Sequence, residues 1–433
     1  MNSTSAFSAT RRPGKRRLTA LLMALLLCSH TLLASTASEA LPGADIASIH
    51  VWLAADNPQL KALQAEAEAA DARIQPAGAL PDPTASISLL GIDRDRPLLL
   101  PGQVGSTIYQ LRQRFPLWGK RELAREVARA EARSLRLERD AVTLDLLAQA
   151  EEAFVRYWHA EESIKVIDRL IALLGQVEQV ASMRYALGDA AQQDSIRAQV
   201  ERTSIQRERI QRLASGDEAA ADLNAVLGRR ADAPLAQPKL PPVLDVVESS
   251  EQAMLQELGH DAHPALQADI ARVTAAMHAV ELQRRNRFPD LTLGIGSMQL
   301  GSRLDSHELM LEVEIPFQQR ARRERERESR LLEEAARARS EATRLELQRR
   351  AGTAWVRWSS AKTQHQLIVG TLLPQSEANF QSAISSYQVG EVDFATLLDA
   401  VRAWQGADLA RVDVIRDELL GAVAVRALNG ETP

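Results

Sequence analysis

Two periodicities of apolar positions alternate along the chain. In the long stretches 117–187 and 318–387, apolar residues recur at intervals of three and four, as in Leu137, Ala141, Leu144 and Ala148, and again in Ile167, Leu170, Leu174, Val177 and Ala181. That spacing predicts a coiled-coil seam. At 1.5 Å per residue, about 70 residues of helix reach roughly 100 Å, longer than any globule of this mass needs. Further helices are predicted over 44–75 and 264–287, where Pro-Asp sequences end them, and over 191–227 and 393–428. Pro374 predicts a kink or break in the second long helix. Between these elements the period drops to two. Leu309, Leu311, Val313 and Ile315 alternate with Met310, Glu312 and Glu314. Strands are predicted in pairs, over 83–92 and 106–115 and over 291–300 and 306–317, each with one apolar and one polar face.

The same series of elements occurs twice. Leu111 to Leu117, with Pro116 near its end, aligns with Leu311 to Phe317 and Pro316 at an offset of 200. Ala153-Phe-Val-Arg-Tyr157 aligns with Ala354-Trp-Val-Arg-Trp358 at 201, Tyr185-x-x-Gly188 with Tyr387-x-x-Gly390 at 202, and Leu80-Pro-Asp-Pro-Thr84 with Phe288-Pro-Asp-Leu-Thr292 at 208. Four ordered matches imply a tandem duplication. The expected organisation is a leader over 1–37, a first repeat over 38–228, a linker over 229–258 containing Pro234, Pro238, Pro241 and Pro242, and a second repeat over 259–433.

The leader follows from charge and hydropathy. Arg11, Arg12, Lys15, Arg16 and Arg17 precede an apolar run from Leu18 to Cys28, and small residues follow at 34–37. This is the layout of a secretory signal peptide, with cleavage expected after Ala37 or Ala40, and the run is too short to span a bilayer. Cys28 is the only cysteine and is expected to leave with the leader, so disulfide chemistry is excluded. Loss of those five cations takes the formal charge from −5 to −10. An acidic exported chain is a poor nucleic-acid binder. No other stretch is long and apolar enough for a transmembrane helix. Contact with a membrane would therefore fall to the strands. Four of them cannot close a barrel alone, and a spanning sheet cannot keep open edges, so a membrane role requires strands from several copies. Otherwise the hairpins pack on helices in a secreted coiled-coil protein.

The residues carry a resemblance to a family. Helix, Pro-Asp, strand pair, Pro, long helix, Tyr-x-x-Gly and helix, given twice, resemble the TolC family of outer-membrane efflux proteins. The specific stretches are His263-Pro-Ala-Leu266, Phe288-Pro-Asp-Leu291, Phe115-Pro-Leu-Trp-Gly-Lys-Arg121, Leu223-Asn-Ala-Val-Leu-Gly228, Leu373-Pro374, Tyr387-Gln-Val-Gly390 and Leu397-Leu-Asp-Ala400. Gly119-Lys120-Arg121 and the short C-terminus look most like the CzcC-type heavy-metal branch. The resemblance implies a mainly α fold with a small membrane β part. Long helical hairpins and four strands per chain would assemble as a homotrimer with a twelve-stranded barrel in outer-membrane lipid and a helical tube in the periplasm. It implies a passive exit duct, neither an enzyme nor a nucleic-acid binder, without cofactors, loaded by an inner-membrane RND pump and a periplasmic adaptor (membrane fusion) protein. Heavy-metal cations are the implied substrate. Multidrug or small-molecule export is the alternative.

Glycine accepts the left-handed conformation that ends a helix, so Gly188 and Gly390 are expected at hairpin tips. The resemblance puts the adaptor at these tips, on Tyr185, Gly188, Tyr387 and Gly390. It puts the gate at Asp399, Asp194 and Thr396, with Asp194 bonded to Tyr387. Thr396 stands where the family has a second acid, and Val392 where it has a basic latch. His260 and His263 have metal-ligand spacing, but Pro264 follows directly and no third ligand is near, so no metal site is expected. No phosphate loop, nucleophile elbow or Cys/His dyad is present.

Overall fold

The computed structural model describes residues 41–95, 97, 99–241 and 263–429. The expected leader with Cys28, the linker from 242 onward, and His260 lie outside them. Among the described residues the helices are α1 (Ile46–Asp56), α2 (Pro58–Ala77), α3 (Lys120–Leu187), α4 (Gln192–Val226), α5 (Pro264–Arg285), α6 (Gln319–Leu367), α7 (Leu373–Val389) and α8 (Phe394–Leu428). The strands are β1 (Thr84–Leu90), β2 (Ser106–Phe115), β3 (Leu291–Leu300) and β4 (Arg303–Val313).

Helix α3 alone has 68 residues, a rise of roughly 100 Å. Its buried residues follow the predicted seam from Ile167 to Ala181, but of Leu137, Ala141, Leu144 and Ala148 only Ala141 and Leu144 are buried, and a different stripe packs there. Leu146, Ala150, Ala153 and Tyr157 face one cluster with Ile49, Leu53, Leu223 and Leu227, while Ile167, Leu170, Leu174, Val177 and Ala181 face another with Phe380, Tyr387, Phe394 and Leu397. Polar contacts tie the layers together. Glu151, 1% exposed, sits 2.8 Å from His50 of α1 and is also paired with Arg426 of α8. His159 lies 2.7 Å from Asp413. Where α6 meets α8 the backbones nearly touch, because Gly421 has no side chain. A Cβ there would meet Trp358 Cα at 2.7 Å.

Several boundaries differ from the sequence reading. The first helix is two helices. Asn57 caps α2 by accepting from the backbone N–H of Gln59 at 2.8 Å and donates to the Val226 carbonyl at 3.0 Å, while Pro58 opens the new helix. The long helix starts at Lys120 rather than 117, because Trp118 and Gly119 both take positive φ, 63° and 73°. Pro374 does not break the second long helix. The turn before it, Ile368–Leu372, widens into π-helix, which accommodates the missing N–H and the ring. Strand β4 runs over Arg303–Val313 rather than 306–317, since a two-residue turn joins Leu300 to Arg303. The described linker residues hold no helix or strand. They pack on the first residues through Ala236 N to Pro42 O at 2.9 Å and Lys239 N to Ala44 O at 3.0 Å.

The strands form one antiparallel sheet in the order β1-β2-β3-β4. Its outer edges, on β1 and β4, have no strand partner among the described residues. Opposite residues on one face are Ala85, Leu111, Ile295 and Leu309, then Leu293 with Leu311, then Phe115, Leu291 and Val313. The other face carries Gln110, Arg112, Arg114, Thr292, Glu308 and Glu312. The apolar face is uncovered: Leu309 is 81% and Ile295 61% exposed. Isolated exposed apolar side chains are ordinary, but a contiguous face of them marks an interaction surface.

The close approach at Gly421 gives a direct test. Gly421→Ala is expected to lower stability by about 1–2 kcal/mol, the overpacking term exceeding the gain in helix propensity. Gly406→Ala, where nothing lies within 4 Å, is expected to raise it slightly. Thermal unfolding of the two variants checks the opposite signs.

Candidate functional site

Both hairpin tips are built by the same backbone device. Gly188 ends α3 at φ 81° and Gly390 ends α7 at φ 83°. After each, the chain turns back with paired backbone bonds: Gly188 N to Tyr185 O at 3.0 Å and Asp189 N to Arg184 O at 2.9 Å, and Gly390 N to Tyr387 O at 3.2 Å and Glu391 N to Ser386 O at 2.9 Å. This satisfies carbonyls that a helix end leaves free.

The side chains at the two tips are unlike. Tyr387 is 1% exposed, whereas Tyr185 is 47% exposed. The Tyr387 hydroxyl donates to Asp194 Oδ2 at 3.2 Å, and its ring meets Phe394 edge-on at 5.6 Å. On its other side the Arg184 guanidinium lies 4.6 Å from the ring centroid and donates to the Tyr387 carbonyl. A second guanidinium nitrogen donates to the Asp189 carbonyl at 3.0 Å. Arg184 therefore fastens the second tip to the first by a cation–π contact and one backbone bond, while its bond to Asp189 braces it within its own tip. Burial, and then the negative charge of Asp194, push the Tyr387 phenol up to about 12.

Tyr387, Gly390 and Asp194 thus form one cluster, and Tyr185 stands outside it. Asp399 is exposed on α8, with only Arg402, 4.0 Å away, as an ion-pair neighbour among the described residues. Arg402 is itself held by both oxygens of Glu201, at 3.0 and 2.7 Å. Thr396 serves the helix start: its N–H and hydroxyl both donate to the N-cap Asp393, at 2.9 and 2.7 Å. Those bonds hold the Asp393 carboxyl below its ordinary range. Sequence reasoning missed Arg184. The available signal was the residue before each tip tyrosine, Arg184 in one copy and Ser386 in the other.

A second polar cluster sits where strands become helices. Asp290, ahead of β3, receives Lys120 Nζ at 2.7 Å and Arg114 at 2.8 Å, so the end of β2 and the helix start after it meet the residue that leads into β3. Lys120 also donates to the Phe288 carbonyl at 2.8 Å, and the Trp118 indole donates to the Pro289 carbonyl at 2.8 Å. The first repeat is thereby locked to the second at this level. His263 caps α5, its Nδ1 accepting from Ala265 N at 3.2 Å, and burial lowers its pKa. Among the described residues no group of three His, Cys, Asp or Glu side chains is placed to hold a metal ion. No described helix is long and apolar enough to cross a membrane.

Residues 259–431 match the outer membrane efflux protein family. Over 291 residues, 66% of this chain and 68% of the relative, the chain is 24% identical to the cobalt-zinc-cadmium resistance protein CzcC of Cupriavidus metallidurans. Among solved structures it resembles the outer-membrane channel OprN, with a TM-score of 0.76 at 19% identity over 89% of each chain. It also resembles CusC, described in terms of transmembrane channel formation, with a TM-score of 0.76 at 15% identity over 93% of this chain and 96% of that one. At these identities the structural likeness establishes the fold.

The Tyr387 hydrogen bond is expected to contribute about 1 kcal/mol, which Tyr387→Phe removes. Because the phenol is raised from 10.0 to about 12, this stabilisation is complete below pH 10 and lost as pH climbs toward 12. Hydrogen exchange at the tip backbone should show protection falling across that range in the wild type. The alkaline loss should be absent in Tyr387→Phe.

Proposed function

We propose that this chain, whose residues 259–431 form an outer membrane efflux protein domain, is the outer-membrane channel of a tripartite efflux system. Three copies surround one pore. Their sheets join into a twelve-stranded barrel in the outer membrane, and their long helices form a tube reaching into the periplasm. The observation that carries this reading is the sheet: among the described residues one face is apolar and uncovered, and both edges are unpaired. Hydrocarbon is the solvent that suits such a face, and closure with other copies is what such edges require there. Strands β2 to β4 have 10 or 11 residues, the length of a membrane-spanning strand.

The channel is passive and makes or breaks no bond. A periplasmic adaptor docks on the tips around Tyr185, Gly188, Tyr387 and Gly390, and an RND pump of the inner membrane supplies the substrate. The exposed side chains of Tyr185 and Leu187, at 47% and 72%, suit such docking. Asp194, through Tyr387, holds the tip closed, and Asp399 with Thr396 lines the constriction. Arg184 supplies the basic latch that Val392 does not. The likeness to CzcC supports heavy-metal cations as the cargo; drugs or other small molecules are the second reading. The first 37 residues are read as the export leader, with repeats over 38–228 and 259–433 flanking the linker 229–258.

Arginine on the apolar face, at Leu309 and Leu311, costs about 2–4 kcal/mol per site near the bilayer midplane. The double variant should disappear from outer-membrane fractions. If it stayed soluble and folded, the channel reading would be wrong. Deletion of the gene should sensitise cells to cobalt, zinc or cadmium. Sensitivity to dyes and detergents alone would favour the second reading.

A further inference from the structure

The duplication fixes more than the order of elements. The offsets of 208 for β1 onto β3 and 200 for β2 onto β4 come from the sequence alone. Applied to the β1–β2 ladder, they carry Thr84↔Arg112 onto Thr292↔Glu312, Ile87↔Tyr109 onto Ile295↔Leu309, and Leu90↔Ser106 onto Met298↔Ser306. All seven β1–β2 pairs land on observed β3–β4 pairs. The two hairpins are therefore equivalent residue by residue up to the bulge after Met298.

The same operation applied to the β2–β3 ladder has no image within one chain. It carries β2 onto β4 and β3 onto a β1 that is already bonded on its other side to β2. The image of Leu111↔Ile295 is Leu311 opposite an Ile87, that of Gln113↔Leu293 is Val313 opposite an Ala85, and that of Gln110↔Gly296 is Met310 opposite a Ser88. We propose that β4 pairs with β1 of a second copy of this chain in this register, and that Arg320 closes the junction by an ion pair with the partner subunit's Asp82. The register rests on the shared-barrel reading above and specifies it.

Three observations support it. First, the faces agree. Leu309, Leu311 and Val313 meet the partner subunit's Leu89, Ile87 and Ala85, so the apolar face continues across the seam. Met310, Glu312 and Glu314 meet the partner subunit's Ser88, Ser86 and Thr84 on the polar face. A slip by one residue would put apolar against polar throughout. Second, the buried pair Lys120–Asp290 maps onto Arg320 and Asp82 under the same offsets. Both are exposed, and among the described residues neither has an ion-pair partner. Within one chain the site is therefore only half made. Third, a slip by two would keep the faces but separate these charges by two residues, about 7 Å. The ion pair thus selects among registers that the apolar pattern leaves equal. The copy is incomplete in one respect. The position of Arg114, which also holds Asp290, is filled by Glu314, so the seam between copies has one cation where the internal junction has two.

Paired cysteines in the full-length membrane protein test this, with Cys28, the only native cysteine, replaced by serine. Leu311→Cys with Ile87→Cys, and Met310→Cys with Ser88→Cys, place thiols opposite each other. Adjacent pairs alternate between the two ladder spacings, so one of the two has the closer geometry. Leu311→Cys with Leu89→Cys, or with Ala85→Cys, is displaced by two. On oxidation, one of the opposite pairs should give covalent dimers and trimers on non-reducing gels at least fivefold more than either displaced pair. Higher yield from a displaced pair would overturn the register and leave the trimer standing. A trimer by native mass with no crosslink from any pair would overturn edge pairing. A monomer by native mass would overturn the shared barrel itself. For the ion pair, Asp82→Arg and Arg320→Asp should each lower the crosslink yield severalfold, and the double swap should restore it. No loss in either single variant would remove the Arg320–Asp82 pair from the seam.

Discussion

A β-strand carries a row of N–H and C=O groups on each side, and each row needs a partner. Among the described residues two rows lack one: the outer edges of β1 and β4. Water can satisfy such groups, but the same sheet presents an uncovered apolar face, which water does not favour. Edge pairing with further copies, as proposed above, meets both demands. The long helices follow from the solution, because they continue from the strands through short junctions. The Lys120–Asp290–Arg114 cluster sits at that transition, where the repeat distance changes from about 3.3 Å to 1.5 Å per residue. A buried ion pair of this kind contributes little net stability but penalises any alternative that leaves one charge alone. It therefore acts chiefly on geometry, fixing which strand ends lie beside which helix starts.

Much of this was legible in the sequence, for a physical reason. Strand and coiled-coil periods are strong signals when they persist over ten or more residues, and here each is written twice. The alternation at Leu309, Leu311 and Val313 and the three-four spacing at Ile167, Leu170 and Leu174 gave the element types and the faces. Local backbone chemistry was less legible. Asn57 caps α2 through local bonds from Gln59 and Leu60, but its amide is also held by the Val226 carbonyl, 169 residues away in sequence. Trp118 adopts a positive φ, uncommon for a bulky residue, at a point where its indole reaches the Pro289 carbonyl. Neither Val226 nor Pro289 is local, so no window of sequence contains these contacts.

The tip shows the same division. Two glycines in equivalent positions gave two equivalent reversals. Asp194 stood out because a resemblance pointed to it, and it lies within hydrogen-bond distance of Tyr387. Arg184 did not, since an arginine near a helix C-terminus is ordinary. Its importance comes from Tyr387, over 200 residues further on. The halves share a backbone plan but divide the side-chain work: one tip tyrosine is enclosed by the other half, and its counterpart is left on the surface.

The widened turn at Ile368–Leu372 explains a small drift in the duplication. Between Ala153 and Ala354 the halves are 201 residues apart, and between Tyr185 and Tyr387 they are 202 apart, so the second half carries one additional residue in this interval. Added to a regular α-helix, one residue would rotate everything after it by about 100°. Phe380, Ala383 and Tyr387 would then point away from α8 and α4. A π turn takes up one residue without passing that rotation on. The bulge can thus be read as the scar of a single-codon insertion, healed locally so that the far end of a helix of about 70 residues kept its bearing.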